Sequence, residues 1–338
     1  MRKVRIGING FGRIGRNALK VAFAHRDHCE VVGINDLTDT KTLAHLLRHD
    51  TAYGTYDKEI SFDEKSITVD GVQITVFAEK DPAMLPWGQL DTDVVIESTG
   101  RFLDKVTAGA HLKGGAKRVI ISAPSKGDDP APTHVMGVNP SDGTEEIINN
   151  ASCTTNNIAP VMMILDEVFG IDKALMSTVH SFTASQMIQD GPSKDLREAR
   201  AASQNIVPTS TGAAIATALA LPNLKGKFDG LSFRVPTIVV SCSDITVLLK
   251  KDVTVEELNN TFIEASKRPE LQGILGVTTE QLVSSDFKGN PHSSVVDLSL
   301  TRVVGGNFVK VVAWYDNEWG YSNRLVEQAI RVGQSMLS

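Results

Sequence analysis

The sequence predicts an α/β first half built on a parallel sheet, followed by an α+β half whose sheet is mainly antiparallel. Three observations point there. From Val4 to about residue 150, short apolar runs alternate with helical stripes. A glycine-rich turn, Gly10-Phe11-Gly12-Arg13-Ile14-Gly15, joins the first run to the first stripe. Beyond the middle of the chain the strands lengthen and crossover helices become few.

Val4 to Asn9 reads as a buried strand, Arg16 to His25 as a helix with Ala18, Leu19, Ala22 and Phe23 on one side, and Cys29 to Ile34 as a second strand ending in Asn35-Asp36. In that setting the glycines have separate tasks. Gly10 permits the tight turn, Gly12 lets backbone N–H groups approach a pyrophosphate, and Gly15 allows close helix–strand packing. Asp36, about 20 positions further on, is placed to accept from ribose hydroxyls. It would repel a 2′-phosphate, and no arginine follows in Leu37-Thr38-Asp39. The reading is a Rossmann-type dinucleotide-binding domain that prefers NAD to NADP. Thr40 to His49 is a helix, and residues 55–77 alternate like inserted antiparallel strands. Asp93 to Thr99 and Lys117 to Ala123 are buried strands whose ends carry Ser98-Thr99 and Ser122, where a parallel sheet meets its ligand.

In the second half, Leu175 to Val179 is a strand ending in His180. The long polar loop 181–208 holds Arg197 and Arg200, and loops of that length are usually functional or disordered. Thr209-Ser210-Thr211-Gly212 is expected to cap a helix to about Ala220. Leu231 to Lys250 and Val295 to Tyr315 supply strands, and Thr254 to Lys267 and Tyr321 to Met336 supply amphipathic helices. The domain boundary is expected near Ala151: residues 1–151 with the terminal helix (318–338) packing back on them, and 152–317 as the second domain.

The 338 residues carry 34 basic and 40 acidic side chains, net −6. That gives no electrostatic case for nucleic acid or an anionic membrane. No apolar run approaches a membrane span, and three cysteines make no disulfide framework, so a cytoplasmic location is expected. No metal is expected.

Asn149 to Asn156 organises the second half. Ser152 is a good N-cap, which puts Cys153 in a first helical turn where free N–H groups and the helix dipole favour a thiolate. Pro160 should bend or tighten the early turns. On these residues alone, Cys153 is equally a nucleophile or a buried small hydrophobe.

Taken together, Asn9–Arg16 (NGFGRIGR), Asn35–Asp39, Ala151–Asn156 (ASCTTN), Thr178–Thr183 (TVHSFT), Thr209–Ala214 (TSTGAA), Arg234–Thr237 (RVPT) and Tyr315–Tyr321 (YDNEWGY) resemble phosphorylating glyceraldehyde-3-phosphate dehydrogenases along the whole chain. The resemblance implies Cys153 as nucleophile and His180 as base, with a thiolate–imidazolium pair favoured over the neutral one. It implies Thr183 and Arg234 for the C3 phosphate of the substrate, and Ser152, Thr154, Thr211, Gly212 and Arg197 for the attacking inorganic phosphate. Cofactor contacts are implied at Gly10, Phe11, Gly12, Arg13, Ile14, Asp36, Lys80, Thr99, Ser122, Asn317 and Tyr321, and Pro192 matches a position associated with NAD. The expected partners are glyceraldehyde 3-phosphate and phosphate, and the expected assembly is a homotetramer with the loop 181–208 at an interface. Asn157, Ser185, Glu198, Ile215 and Ile238-Val239 depart from the family pattern. A related branch that oxidises erythrose 4-phosphate and hydrolyses its thioester tends to lose the Thr-Gly pair that this chain keeps as Thr211-Gly212.

Overall fold

The computed structural model describes residues 2–337. Its contacts divide the chain into two compact units. One holds the chain up to His134, Pro140–Ala151 and the chain from Ser322; the other holds Val135–Asn139 and Ser152–Tyr321.

The first unit runs β1 (Val4–Asn9), α1 (Arg13–Ala24), β2 (Cys29–Asn35), α2 (Thr40–Arg48), β3 (His49–Asp50), β4 (Gly54–Thr55), β5 (Ile60–Phe62), β6 (Ser66–Val69), β7 (Val72–Phe77), β8 (Val94–Glu97), α3 (Lys105–Ala108), α4 (Ala110–Lys113), β9 (Arg118–Ile121) and β10 (Ile147–Asn149). Its main sheet has the order β10-β9-β8-β1-β2-β7-β6-β5. Neighbours from β10 to β7 are parallel, and β7-β6 and β6-β5 are antiparallel. The chain leaves β1 toward β2 on one side and reaches β8 on the other. The strand order therefore switches direction between β1 and β8, where open α/β sheets take their ligands. Strands in such a sheet are covered on both faces and read as unbroken apolar runs; Val94, Val95, Ile96 and Glu97 are all buried. Helix α1 starts three residues earlier than the apolar stripe suggests, at Arg13, because the glycine turn itself enters the helix.

The second unit contains α5 (Cys153–Phe169), β11 (Ile171–Ser181), β12 (Val207–Ser210), α6 (Ala213–Ala220), β13 (Phe228–Val235), β14 (Ser241–Leu249), α7 (Val255–Ala265), β15 (Leu275–Thr278), β16 (Ser294–Asp297), β17 (Arg302–Val304), β18 (Phe308–Tyr315) and the start of α8 (Trp319–Ser335). The sheet order is β12-β13-β11-β14-β18-β16-β15, with β17 beside β18. Pairing is mainly antiparallel, but β11-β13 and β15-β16 are parallel. Helix α5 is apolar nearly all round and packs with α7 and the inner sheet face in one core that includes Ile158, Val161, Met162, Ile245, Val247, Phe262 and Val311.

Two local expectations are corrected. Pro160 does not tighten the early turns: α5 is α-helical without interruption. Pro160 has no N–H for the i−4 bond, and burial on all sides outweighs a loss of about 3 kcal/mol. Thr209 and Ser210 belong to β12, and the N-cap of α6 is Gly212 without a side-chain bond; only Thr211 Oγ1 accepts, from the Ala213 amide at 3.2 Å.

Candidate active site

The cofactor cleft of the first unit lies at the strand ends. It has a volume of about 300 Å³ and is lined by Asn9, Gly10, Gly12, Asn35, Asp36, Leu37, Glu79, Lys80, Ser98, Thr99, Arg101 and Phe102. The glycine turn fits a phosphate group. Gly10 has φ +91, and a Cβ there would fall 2.7 Å from the Thr99 nitrogen; a Cβ on Gly15 would lie 2.1 Å from the Gly10 carbonyl oxygen. At Gly12 a Cβ would meet nothing within 4 Å, so this open space above an uncapped helix N-terminus is where an anion can approach. Asp36 Oδ2 accepts from the Phe11 amide at 2.8 Å and Oδ1 from the Thr38 amide at 3.0 Å, which fixes the carboxylate and leaves further lone pairs for hydroxyl donors.

Of the residues expected at the cofactor, Gly10, Gly12, Asp36, Lys80 and Thr99 line this cleft. Phe11 is a core side chain, and Arg13 turns to Asp50 at 2.6 Å, so these two, like Ile14, offer backbone at the helix start rather than side chains. Ser122 donates its amide to the Glu97 carbonyl and is not among the lining residues. Tyr321 is buried in the first turn of α8. Sequence reading missed Asn9, Glu79, Arg101 and Phe102, although Asn9 immediately precedes the glycine turn.

The chemistry of the second unit gathers at the N-terminus of α5. Ser152 is extended and its hydroxyl accepts from the Thr155 amide at 3.0 Å, which starts the helix at Cys153. The residue before it, Ala151, has φ 54, a left-handed conformation unusual for a side-chain-bearing residue; its amide donates to Asn149 Oδ1 at 3.0 Å. Cys153 Sγ then lies 3.5 Å from His180 Nε2. His180, only 3% exposed, sits near the end of β11, in register with Arg234 on the neighbouring parallel strand β13. That register brings Arg234 Nη1 to 2.5 Å from His180 Nδ1 and 3.3 Å from the Ser181 carbonyl, while Nδ1 is itself 2.7 Å from that carbonyl. The two contacts ask opposite things of Nδ1. A hydrogen on Nδ1 satisfies Ser181 and leaves Nε2 as an acceptor for the thiol; a lone pair on Nδ1 satisfies Arg234.

Electrostatics weigh against the expected ion pair. Burial pushes the Cys153 thiol up, opposed by the Arg234 charge and the Thr154 hydrogen bonds. His180 is pushed down to about 3, by burial first and then by Arg234. Helix N-terminus and guanidinium favour a thiolate, yet desolvation penalises both charged forms and the guanidinium repels an imidazolium. Both shifts run against the expected thiolate–imidazolium pair.

Around this pair, Tyr315 hydroxyl bridges Thr154 Oγ1 (3.0 Å) and Thr178 Oγ1 (2.9 Å), and its ring meets His180 edge-on at 6.0 Å. The Thr154 side chain is thereby occupied, and its free contribution is its first-turn amide. Asn317 is buried, and its Oδ1 accepts from Ser181 Oγ at 3.0 Å and Ser241 Oγ at 3.1 Å, so the amide orientation is set and Nδ2 is left to donate elsewhere. Val240, φ 75, is the strained residue that aims Ser241. Arg234 Nε is buried without an acceptor, a donor waiting for an anion. Thr183 Oγ1 faces Ser185 and Gln186, Thr211 Oγ1 accepts from the Ala213 amide, and Arg197 is exposed on the loop with its amide on Asp195. Tyr315, Thr178 and Ser241 were not singled out from sequence; their hydroxyls lie on strands whose alternation signals only burial.

Two family profiles match the chain: residues 4–105 match the glyceraldehyde 3-phosphate dehydrogenase NAD binding domain, and residues 152–317 match the C-terminal domain of the same family. The chain belongs to the glyceraldehyde 3-phosphate dehydrogenase family. It is 54% identical over 328 residues to glyceraldehyde-3-phosphate dehydrogenase 1 of Bacillus cereus (96% of this chain, 97% of the relative). It is 52% identical over 336 residues to the Streptomyces coelicolor glyceraldehyde-3-phosphate dehydrogenase (98% and 99%) and 51% identical over 337 to that of Geobacillus stearothermophilus (99% of each). The cofactor of this dehydrogenase family member is NAD, consistent with the open anion cradle at Gly12 and the fixed carboxylate of Asp36. Among the described residues no helix is long and apolar enough to cross a membrane.

Proposed function

We propose that this chain oxidises D-glyceraldehyde 3-phosphate in the presence of inorganic phosphate to 1,3-bisphosphoglycerate, by way of a hemithioacetal and then a thioester on Cys153. The observation that carries the reading is the 3.5 Å approach of Cys153 Sγ to a histidine nitrogen whose ring is braced by Ser181 and Arg234. The thiol adds across the aldehyde: sulfur bonds to carbon, and the thiol proton, passed through His180 Nε2, ends on oxygen. In the oxidation that follows, the same Nε2 takes that hydroxyl proton as the C–H bond gives up its hydride. Bound NAD supplies the hydride acceptor. The resulting thioester is cleaved by phosphate oxygen, which leaves an acyl phosphate and returns the thiol.

Arg234 with Thr183 is our assignment for the C3 phosphate. An anion drawn to the unpartnered Nε offsets the cation beside Nδ1, leaves Ser181 as the partner of the ring, and eases formation of the imidazolium. Ser152, the Thr154 amide, Thr211, Gly212 and Arg197 are assigned to the attacking phosphate, and Asn317 Nδ2 to the nicotinamide carboxamide. Residues 1–151 with 318–338 form the NAD-binding domain in this reading, and 152–317 the catalytic one. We also propose a cytoplasmic homotetramer. The second sheet exposes Leu175 and helix α6 exposes Ile215 (65% and 71%) beside a hollow of about 870 Å³ that includes Phe228, Leu248 and Phe308, and the loop exposes Ile188 and Leu196. Patches of that kind mark association surfaces.

NADH formation from glyceraldehyde 3-phosphate, NAD and phosphate tests the reaction, with NADP as the comparison. A rate unaffected by omitting phosphate would point instead to hydrolysis, as in an erythrose 4-phosphate dehydrogenase. Sedimentation as a monomer would refute the assembly.

A further inference from the structure

Beneath the floor of the cofactor cleft runs a chain of hydrogen bonds with one permitted direction. Glu97, 1% exposed, ends β8. Its Oε1 accepts from the Thr99 amide at 2.8 Å and from the Thr99 hydroxyl, and its Oε2 accepts from Asn9 Nδ2 at 2.5 Å. His111 is fully buried, with Nε2 3.0 Å from the same Oε2. Trp87 Nε1, which can only donate, points at His111 Nδ1 from 3.0 Å. The lone pair is therefore on Nδ1, the hydrogen on Nε2, and His111 is another donor to Glu97.

A carboxylate that only accepts dictates every amide beyond it. Asn9 must turn Nδ2 to Glu97, so its Oδ1 faces outward and accepts from Asn35 Nδ2 at 2.7 Å. Asn35 Oδ1 then accepts from the Glu79 amide at 2.8 Å. The carbonyl of Asn35 takes the Gly10 amide at 2.8 Å, and Asp36 follows it in the chain. The ends of β8, β1 and β2 and the loop carrying Glu79 and Lys80 are thus registered to one buried anion across the switch point.

We propose that Glu97 is a positioning residue for the dinucleotide: through Asn9 and Asn35 on one side and Thr99 on the other it sets the walls of the cleft and so the affinity for NAD. The proposal rests on that cleft being the NAD site. Buried networks in which every member is satisfied are stiff, and a single reversed member propagates.

The test is calorimetric NAD binding to the full chain and three variants, with melting curves to verify folding. Glu97→Gln sets an NH2 group against existing donors and turns Asn9 and Asn35 over in succession, until a donor meets the Glu79 amide. Asn9→Asp sets a second carboxylate against Glu97. The double variant Glu97→Gln/Asn9→Asp again matches donor to acceptor at that joint and keeps the direction of Asn35. Each single variant is expected to raise the NAD dissociation constant about tenfold or more, and the double variant to return it to within about threefold of the parent. Unchanged affinity in folded single variants, or losses that add in the double, would overturn the proposal. If a single variant does not fold, the double variant alone decides: near-parental affinity supports the relay and a loss of about tenfold refutes it. A parent chain that binds no NAD would overturn the cleft itself and the relay with it.

Discussion

Replacing Arg234 with methionine separates two effects of one cation. Its Nη1 lies 2.5 Å from His180 Nδ1, and its charge also favours a thiolate at Cys153. For unit charges about 6 Å apart, the attraction is about 3 kcal/mol at an effective dielectric of 20 and under 1 kcal/mol at that of water. That corresponds to a rise of about half to two pH units in the thiol on removal. Repulsion of an imidazolium, at a shorter distance, is larger. The sign of the outcome therefore identifies the reactive form. A bare thiolate beside a neutral imidazole loses the attraction of that cation and reacts more slowly; an ion pair loses more repulsion than attraction and reacts faster. Burial and Arg234 both push His180 down, which favours the neutral imidazole, and slower reaction is expected. The assay is iodoacetamide alkylation of Cys153 in NAD-free protein near neutral pH, with Cys153→Ser as the blank. The rate of Arg234→Met should fall about threefold to a hundredfold. A faster variant would refute that expectation and identify the ion pair as the reactive form.

Cys153→Ser should abolish NADH formation, and His180→Asn should lower kcat about 10²- to 10⁴-fold with the fold intact by circular dichroism. His180 also makes stability depend on pH. Its folded value lies below its ordinary 6.5, so its contribution is complete above 6.5 and is lost as pH falls toward 3. The slope is about 1.4 kcal/mol per pH unit in that window, and urea titrations near pH 6 and 5 should show it flattened in His180→Asn. Gly15→Ala, with its added carbon 2.1 Å from a backbone oxygen, should cost about 1–3 kcal/mol or more in urea unfolding. Gly12→Ala should leave stability nearly unchanged while weakening NAD binding in a calorimetric titration.

Local signals were legible where the local sequence decides the structure. The Gly10–Gly15 turn lies between β1 and α1, and Ser152 caps the helix that begins at Cys153, because turn sterics and N-capping act over a few residues. Strands β5 to β7 were readable from their alternation for the same reason. What stayed hidden depends on pairing across long separations. Nothing near His180 in sequence reveals Arg234, because they meet only through the parallel register of β11 and β13. What weighs against an ion pair was hidden for that reason: helix N-terminus and histidine were visible, while the guanidinium against Nδ1 and the depth of burial were not. The bridging hydroxyl of Tyr315 and the carboxylate of Glu97 were equally hidden, each being one apolar-looking strand position among several.

Ala151 is not a glycine, yet it holds φ 54, a conformation that costs about 1–2 kcal/mol for a residue with a Cβ. Asn149 clamps its amide, so the cost is borne in the folded protein one residue ahead of the helix cap. Glycine at 151 would relieve the torsion while freeing the peptide that aims the Ser152 cap. A search for hardier versions of this enzyme that scores melting temperature alone would therefore enrich changes at this position that blunt turnover.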